Sequence, residues 1–128
     1  MAADGLLTLQ TVTTVTATTT GTAITVPYGI GPKPLFARVI YSAATNASGA
    51  NTVSFRVEMA ADGTNYTSLT TAPDITLSTT AQANVIFIPI DFPLGAGTTA
   101  KVRLNAVFSG AGSTPTITYL ADVVGARP

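Results

Sequence analysis

Cysteine, histidine and tryptophan are all missing from this chain of 128 residues. Without cysteine there is no disulfide, no thiolate site and no iron–sulfur cluster. Without histidine the chain lacks the usual general base at neutral pH and the commonest metal ligand. Charge is scarce as well: Asp, Glu, Lys and Arg make up 9% of the residues, against about 25% in an average soluble domain. Six basic residues balance six acidic ones, and they are scattered singly, so there is no electrostatic footprint for nucleic acid or an anionic membrane. The strongest apolar run, residues 85–90, is far shorter than the roughly 20 residues of a membrane helix. The opening Met1-Ala2-Ala3-Asp4-Gly5 has no basic start, and Leu6-Leu7 gives way to threonines before an apolar core develops, so no signal peptide is expected. The sequons at Asn46 and Asn65 then read as chance matches. Gly29 and Gly31 lack the third glycine and the following helix of a phosphate-binding loop.

What is present is apolar and β-branched. The length predicts one domain over residues 1–128, burying roughly two thirds of the surface its unfolded form exposes. Apolar residues reach 46% and recur periodically, which excludes disorder. The wet surface must therefore be Thr, Ser, Asn and Gln. Such a surface can lie against a partner without burying unpaired charge.

The clearest stretch is 53–69, VSFRVEMAADGTNYTSL. Val53, Phe55, Val57 and Met59 alternate with Ser54, Arg56 and Glu58, the period of a strand with one buried face. Asp62-Gly63 supplies a turn and Tyr66 starts the return strand, giving an antiparallel hairpin. Residues 6–15 are extended and β-branched, the core of an N-terminal strand or arm over residues 1–20. Their apolar residues do not alternate cleanly, so either a bulge intervenes or both faces are covered, one of them by another subunit. Residues 27–34 hold three prolines and two glycines and read as a surface loop. Residues 35–44 are apolar on both faces, as in a central strand, and 46–51 form a polar loop. A short strand at 75–77 precedes 85–92, where Pro89 removes a ladder donor and predicts either an edge or a kink. Residues 101–108 bury Val102, Leu104, Ala106 and Phe108 and show Lys101, Arg103 and Asn105 to water. Residues 116–124 close the chain. About eight short strands with regular turn signals and no helical stripe predict an all-β, antiparallel, jelly-roll-like β-sandwich with an extended N-terminal arm.

Catalysis is not expected. Asp62 and Asp74 fall at turns, where Asp is favoured for local hydrogen bonding. Asp91 and Asp122 could be neighbours across the sheet, which is equally the pattern of solvated strand ends, and no serine has a recognisable base. A calcium ion on Asp62 and Asn65 would find one carboxylate in a four-residue turn, too few ligands. No metal and no cofactor is expected.

The opening Leu7-Thr8-Leu9-Gln10 running into Val15–Thr18 resembles the start of small capsid cement or decoration proteins of tailed bacteriophages. The hairpin at 55–69, the segment AKVRLNAVFSG and the ending PTITYLADVV are similar to that family's hairpin and last two strands. The resemblance covers nearly the whole chain in order, with the proline-rich loop at 27–34 departing from it. It implies a non-enzymatic, jelly-roll virion protein. Such a protein is made in the host cytoplasm, sits on the outer capsid surface and bridges major capsid protein subunits as a homodimer or homotrimer, with no direct contact to nucleic acid or membrane. The candidate capsid or oligomer contact is Leu6, Leu7, Leu9, Val12 and Val15 of the arm with Pro27, Tyr28 and Ile30 of the loop, whose apolar side chains have least reason to exist on a free monomer. The alternative is a carbohydrate-binding or adhesin-type sandwich, although Trp is absent and only Tyr28, Tyr41, Tyr66 and Tyr119 are available as sugar platforms.

Overall fold

The computed structural model describes residues 8–25, 35–60, 62–90 and 101–124. Among them are nine strands and no helix: β1 (Thr8–Val15), β2 (Ile24–Thr25), β3 (Leu35–Thr45), β4 (Asn51–Ala60), β5 (Thr67–Thr71), β6 (Ile75–Thr76), β7 (Gln82–Ile90), β8 (Lys101–Gly110) and β9 (Thr116–Val124). Two antiparallel sheets face each other. The first has the order β1-β9-β3-β7; the second has the order β2-β8-β4-β5, with β6 also paired to β4. The chain changes sheet at most of its connections, so β1, β3, β7 and β9 belong to one layer and β2, β4, β5, β6 and β8 to the other.

The alternation read from the sequence is what drives this layering. In β4, Val53, Phe55, Val57 and Met59 point into the core while Arg56 and Glu58 point away. Gly63 takes a φ of 80° and donates its N–H to the Ala60 carbonyl at 3.1 Å. The return strand β5 then pairs antiparallel with β4, Thr67 opposite Met59. From the facing sheet, Ile88, Ile117 and Tyr119 meet Phe55 and Leu104, all of them fully buried. Each such side chain contributes roughly 1.5–3 kcal/mol by leaving water. As its two-sided apolar pattern predicts, β3 is central, between β9 and β7, and β7 with its Pro89 is an edge strand.

Of the two explanations for the irregular N-terminal pattern, the pairing shows the bulge. β1 docks on β9 of its own chain, with register shifts between Thr8 and Gln10 and between Gln10 and Thr13. A further bulge, in β3, carries Ala43 at a φ of 51°. The inserted residue lets Tyr41 and Ala44, three positions apart, both point inward.

Two polar expectations are corrected. Ser54, expected on the wet face of β4, is buried because residue 72 folds over it and the Ala72 carbonyl accepts its hydroxyl at 3.1 Å. Asn105, expected in water, is buried beneath the segment leading into β2: its Oδ1 accepts the Gly21 N–H at 3.1 Å and its Nδ2 donates to Glu58 Oε1 at 2.8 Å. In the loop at 46–50, Asn46 is buried and its Nδ2 donates to Oδ1 of Asn51, the buried first residue of β4, and to the Gly49 carbonyl, both at 3.0 Å. The loop is therefore tied down by its own amides. Close by, Gly110 has a φ of 97°, and a Cβ there would lie 2.3 Å from the Ala50 carbonyl oxygen, so only glycine fits.

Candidate contact surface

The eight residues expected to make the contact separate once they are placed. Leu9 is in the core at 2% exposure, because the bulges of β1 turn it inward; this corrects its assignment to a contact surface. Val15 is half-buried and packs on the same core. Val12 points out at 66% exposure. Leu6, Leu7, Pro27, Tyr28 and Ile30 lie outside the described residues. The strands that flank them share one end of the sandwich. Thr8 opposite Asp122, and Leu35 opposite Ile90, begin β1 and β3 at that end of the first sheet, and Thr25 opposite Lys101 closes β2 at that end of the second.

The outer face of the first sheet holds residues that the sequence reading did not single out. Ile40 is opposite Leu120 on β9 and Val85 on β7. Val12 falls within the bulge of β1 that faces Leu120. These four aliphatic side chains line up across all four strands. Val12, Ile40 and Val85 are the exposed large hydrophobic residues among those described. On one side of the row, the Thr14 and Thr118 hydroxyls bond each other at 2.7 Å, with Ser42 next in register. On the other side, Arg38 grips Asp122, Nε to Oδ1 at 3.0 Å and Nη2 to Oδ2 at 2.5 Å. The Asp122 side chain is 4% exposed and Arg38 23%, so Asp122 is no solvated strand end; its proposed neighbour Asp91 lies outside the described residues. The hydrogen bond to Asp122 raises the Arg38 pKa above its ordinary value.

The outer face of the second sheet is polar. Arg103 Nε and Asn105 Nδ2 both donate to Glu58 Oε1 at 2.8 Å, and the Arg103 guanidinium lies 3.8 Å above the Tyr66 ring, a cation–π contact. Tyr41 and Tyr119 are core residues stacked around Phe55. Among the described tyrosines, Tyr66 alone reaches the surface, and Arg103 occupies one face of its ring.

Asp62 caps its turn as the sequence predicts. Its Oδ1 accepts the N–H groups of Thr64 and Asn65, both at 2.8 Å, and its Oδ2 accepts Asn65 Nδ2 at 2.7 Å. The backbone donors of Asn65 and Thr64, then the Asn65 amide, hold its pKa down at about 2, from an ordinary 3.8. The folded carboxyl thus titrates below the unfolded one, so the turn has its full stabilisation above the ordinary value and loses it as pH falls towards 2. An NMR titration of the Asp62 carboxyl carbon is expected to show a midpoint near 2; a midpoint at the ordinary value would mean the turn does not hold the carboxylate in solution.

Among the described residues no group of three or more His, Cys, Asp or Glu side chains comes together. No helix of the described residues is long and apolar enough to cross a membrane. Among the described residues, the outer face of the first sheet carries an apolar row beside a self-neutralised ion pair, and that of the second is polar. No protein-family model matches the chain, and no curated protein matches it.

Proposed function

We propose that this chain is a non-enzymatic cement or decoration protein, a jelly roll that binds the outer surface of a tailed-phage capsid and braces contacts between major capsid subunits. The blocks that carry the resemblance follow the strands: residues 55–69 run from within β4 through its turn into β5, and the last two blocks contain β8 and β9. Two four-stranded paths, β1-β9-β3-β7 and β2-β8-β4-β5, with the chain crossing repeatedly between them, support the jelly-roll reading. The observation that carries the proposal is the convergence of Thr8, Thr25 and Leu35 at one end of the sandwich. Those are the described residues next in sequence to the two candidate contact segments: Thr8 follows Leu6-Leu7, and Thr25 and Leu35 bracket Pro27-Tyr28-Ile30. A shell contact needs no reaction; it needs a rigid body with uncharged contact area, repeated by symmetry until weak contacts add up. The sugar-binding alternative has less support, because Tyr41 and Tyr119 are spent in the core.

Co-sedimentation with expanded capsids that lack the protein tests this. Purified protein is expected to pellet with the shells and to raise their resistance to heat. Deleting residues 1–7 is expected to abolish pelleting while the melting temperature stays near that of the full chain, since β1 and Leu9 remain. Protein that stays in the supernatant at saturating concentration would refute the reading.

A further inference from the structure

We infer that the outer face of the β1-β9-β3-β7 sheet is a self-association surface, on which a second copy of this chain stacks face to face about a two-fold axis. Scattered exposed aliphatic residues need no explanation. A row of four in register across a whole sheet is different, because the same chain makes the other outer face polar, with Arg56, Glu58 and Arg103. The first sheet's face has the anatomy of an interface: an apolar centre of Val12, Leu120, Ile40 and Val85, with hydroxyls on one flank and a paired ion on the other.

The choice of a second copy follows from charge and register. Arg38 and Asp122 neutralise each other within one chain, so the face attracts neither a basic nor an acidic partner. Arg38 and Ile40 on β3 are opposite Asp122 and Leu120 on β9. A two-fold axis parallel to these strands, passing between them, therefore sets Ile40 over the partner's Leu120, Ser42 over the partner's Thr118 and Arg38 towards the partner's Asp122. Opposite charges face each other and no like pair does. The stack repeats the sheet-on-sheet packing already used inside the molecule.

Area sets the strength. Three strand spacings of about 4.8 Å and six residue steps of about 3.4 Å give a footprint on the order of 300 Å². A standard interface takes about 800 Å² from each partner. The dimer is therefore weak and reversible, populated in the micromolar to millimolar range or where a lattice concentrates the protein.

The inference does not rest on the capsid reading, and purified protein alone tests it. Sedimentation velocity from micromolar to millimolar concentration is expected to show a monomer passing into a dimer. Over the same range, dilution should shift the NMR signals of Val12, Ile40, Val85 and Leu120. Ile40→Glu and Val12→Glu are each expected to weaken association at least about tenfold. Val12 is the more exposed site, so its variant should keep the melting temperature even if the Ile40 variant does not. Thr71→Glu, on the opposite sheet, is expected to change nothing. A wild-type chain that stays monomeric throughout overturns the inference, the result expected if the chain's own first seven residues cover the row. So does a dimer that survives both substitutions on the face or breaks with Thr71→Glu. None of these outcomes alters the co-sedimentation result.

Discussion

Phe55→Ala is expected to destabilise the fold by about 3–5 kcal/mol, the usual loss when a buried aromatic ring is truncated and its cavity does not collapse. Phe55 is fully buried on β4, and its ring meets Tyr119 edge-on at 4.9 Å between centroids and Tyr41 at 6.5 Å. These are contacts between the two sheets, so truncation loosens the joint that makes the sandwich. Against a total stability of about 5–15 kcal/mol this is a large fraction. In urea denaturation the midpoint should fall sharply while the slope stays constant. Tyr119→Phe at the same joint should go the other way. The Tyr119 hydroxyl is buried without a hydrogen-bond partner among the described residues, so removing it is expected to leave stability unchanged or raised by up to about 1 kcal/mol. Burial pushes that phenol's pKa above its ordinary 10.0. The unfolded chain then ionises first, and stability falls as pH rises above that value; Tyr119→Phe should flatten this alkaline decline. A phenylalanine variant less stable by 1 kcal/mol or more would show that the hydroxyl has a partner in solution.

Strand identity was legible because each signal was local. The alternation in 53–59 placed β4, Asp62-Gly63 placed its turn, and Pro89 placed β7 at an edge, each through a constraint contained in a few residues. The buried polar residues were not legible, because what covers them comes from far along the chain. Asn105 is covered by residues 84 positions away, at Gly21, and Ser54 by Ala72, 18 positions on. In β1 the sequence left a bulge and a covered second face open. Periodicity registers an extra residue only as a broken pattern, and the pairing partner β9 decides where that residue goes.

The surface was legible in kind and misplaced in detail. The scarcity of charge pointed to uncharged contact area, and Val12 carries part of it. Leu9, three positions earlier, belongs to the core. Ile40, Val85 and Leu120 escaped notice because an apolar residue on the outward side of a strand looks the same in sequence as one covered by a second sheet. The available signal was that β3 is apolar on both faces while a two-layer sandwich covers only one of them. Which residues then form one row depends on the registers of β3 with β7 and β9, and no single strand contains that information.

Arg38→Met is expected to cost about 3–5 kcal/mol, since it strands a buried carboxylate that has lost its partner. The pair is bidentate and Asp122 is the more deeply buried member at 4% side-chain exposure, so the burden falls on the aspartate. Removing the second charge as well then repairs the damage. The double variant Arg38→Met with Asp122→Leu should recover most or all of the stability, because a buried ion pair seldom outperforms apolar side chains of similar volume. A double-mutant cycle by urea denaturation reads both numbers, with a coupling energy of about 3 kcal/mol or more expected, since the double variant regains most of what Arg38→Met loses. Additive losses would show that the ion pair does not act as a unit. The same double variant bears on why a chain so poor in charge keeps this pair beside its apolar row. With both charges gone, the face becomes apolar from Val12 to Val85 and across the neighbouring positions of β3 and β9. It should then self-associate more tightly and with less preference for one register. On this reading the ion pair contributes little to folding stability and instead limits how, and how strongly, two such faces meet.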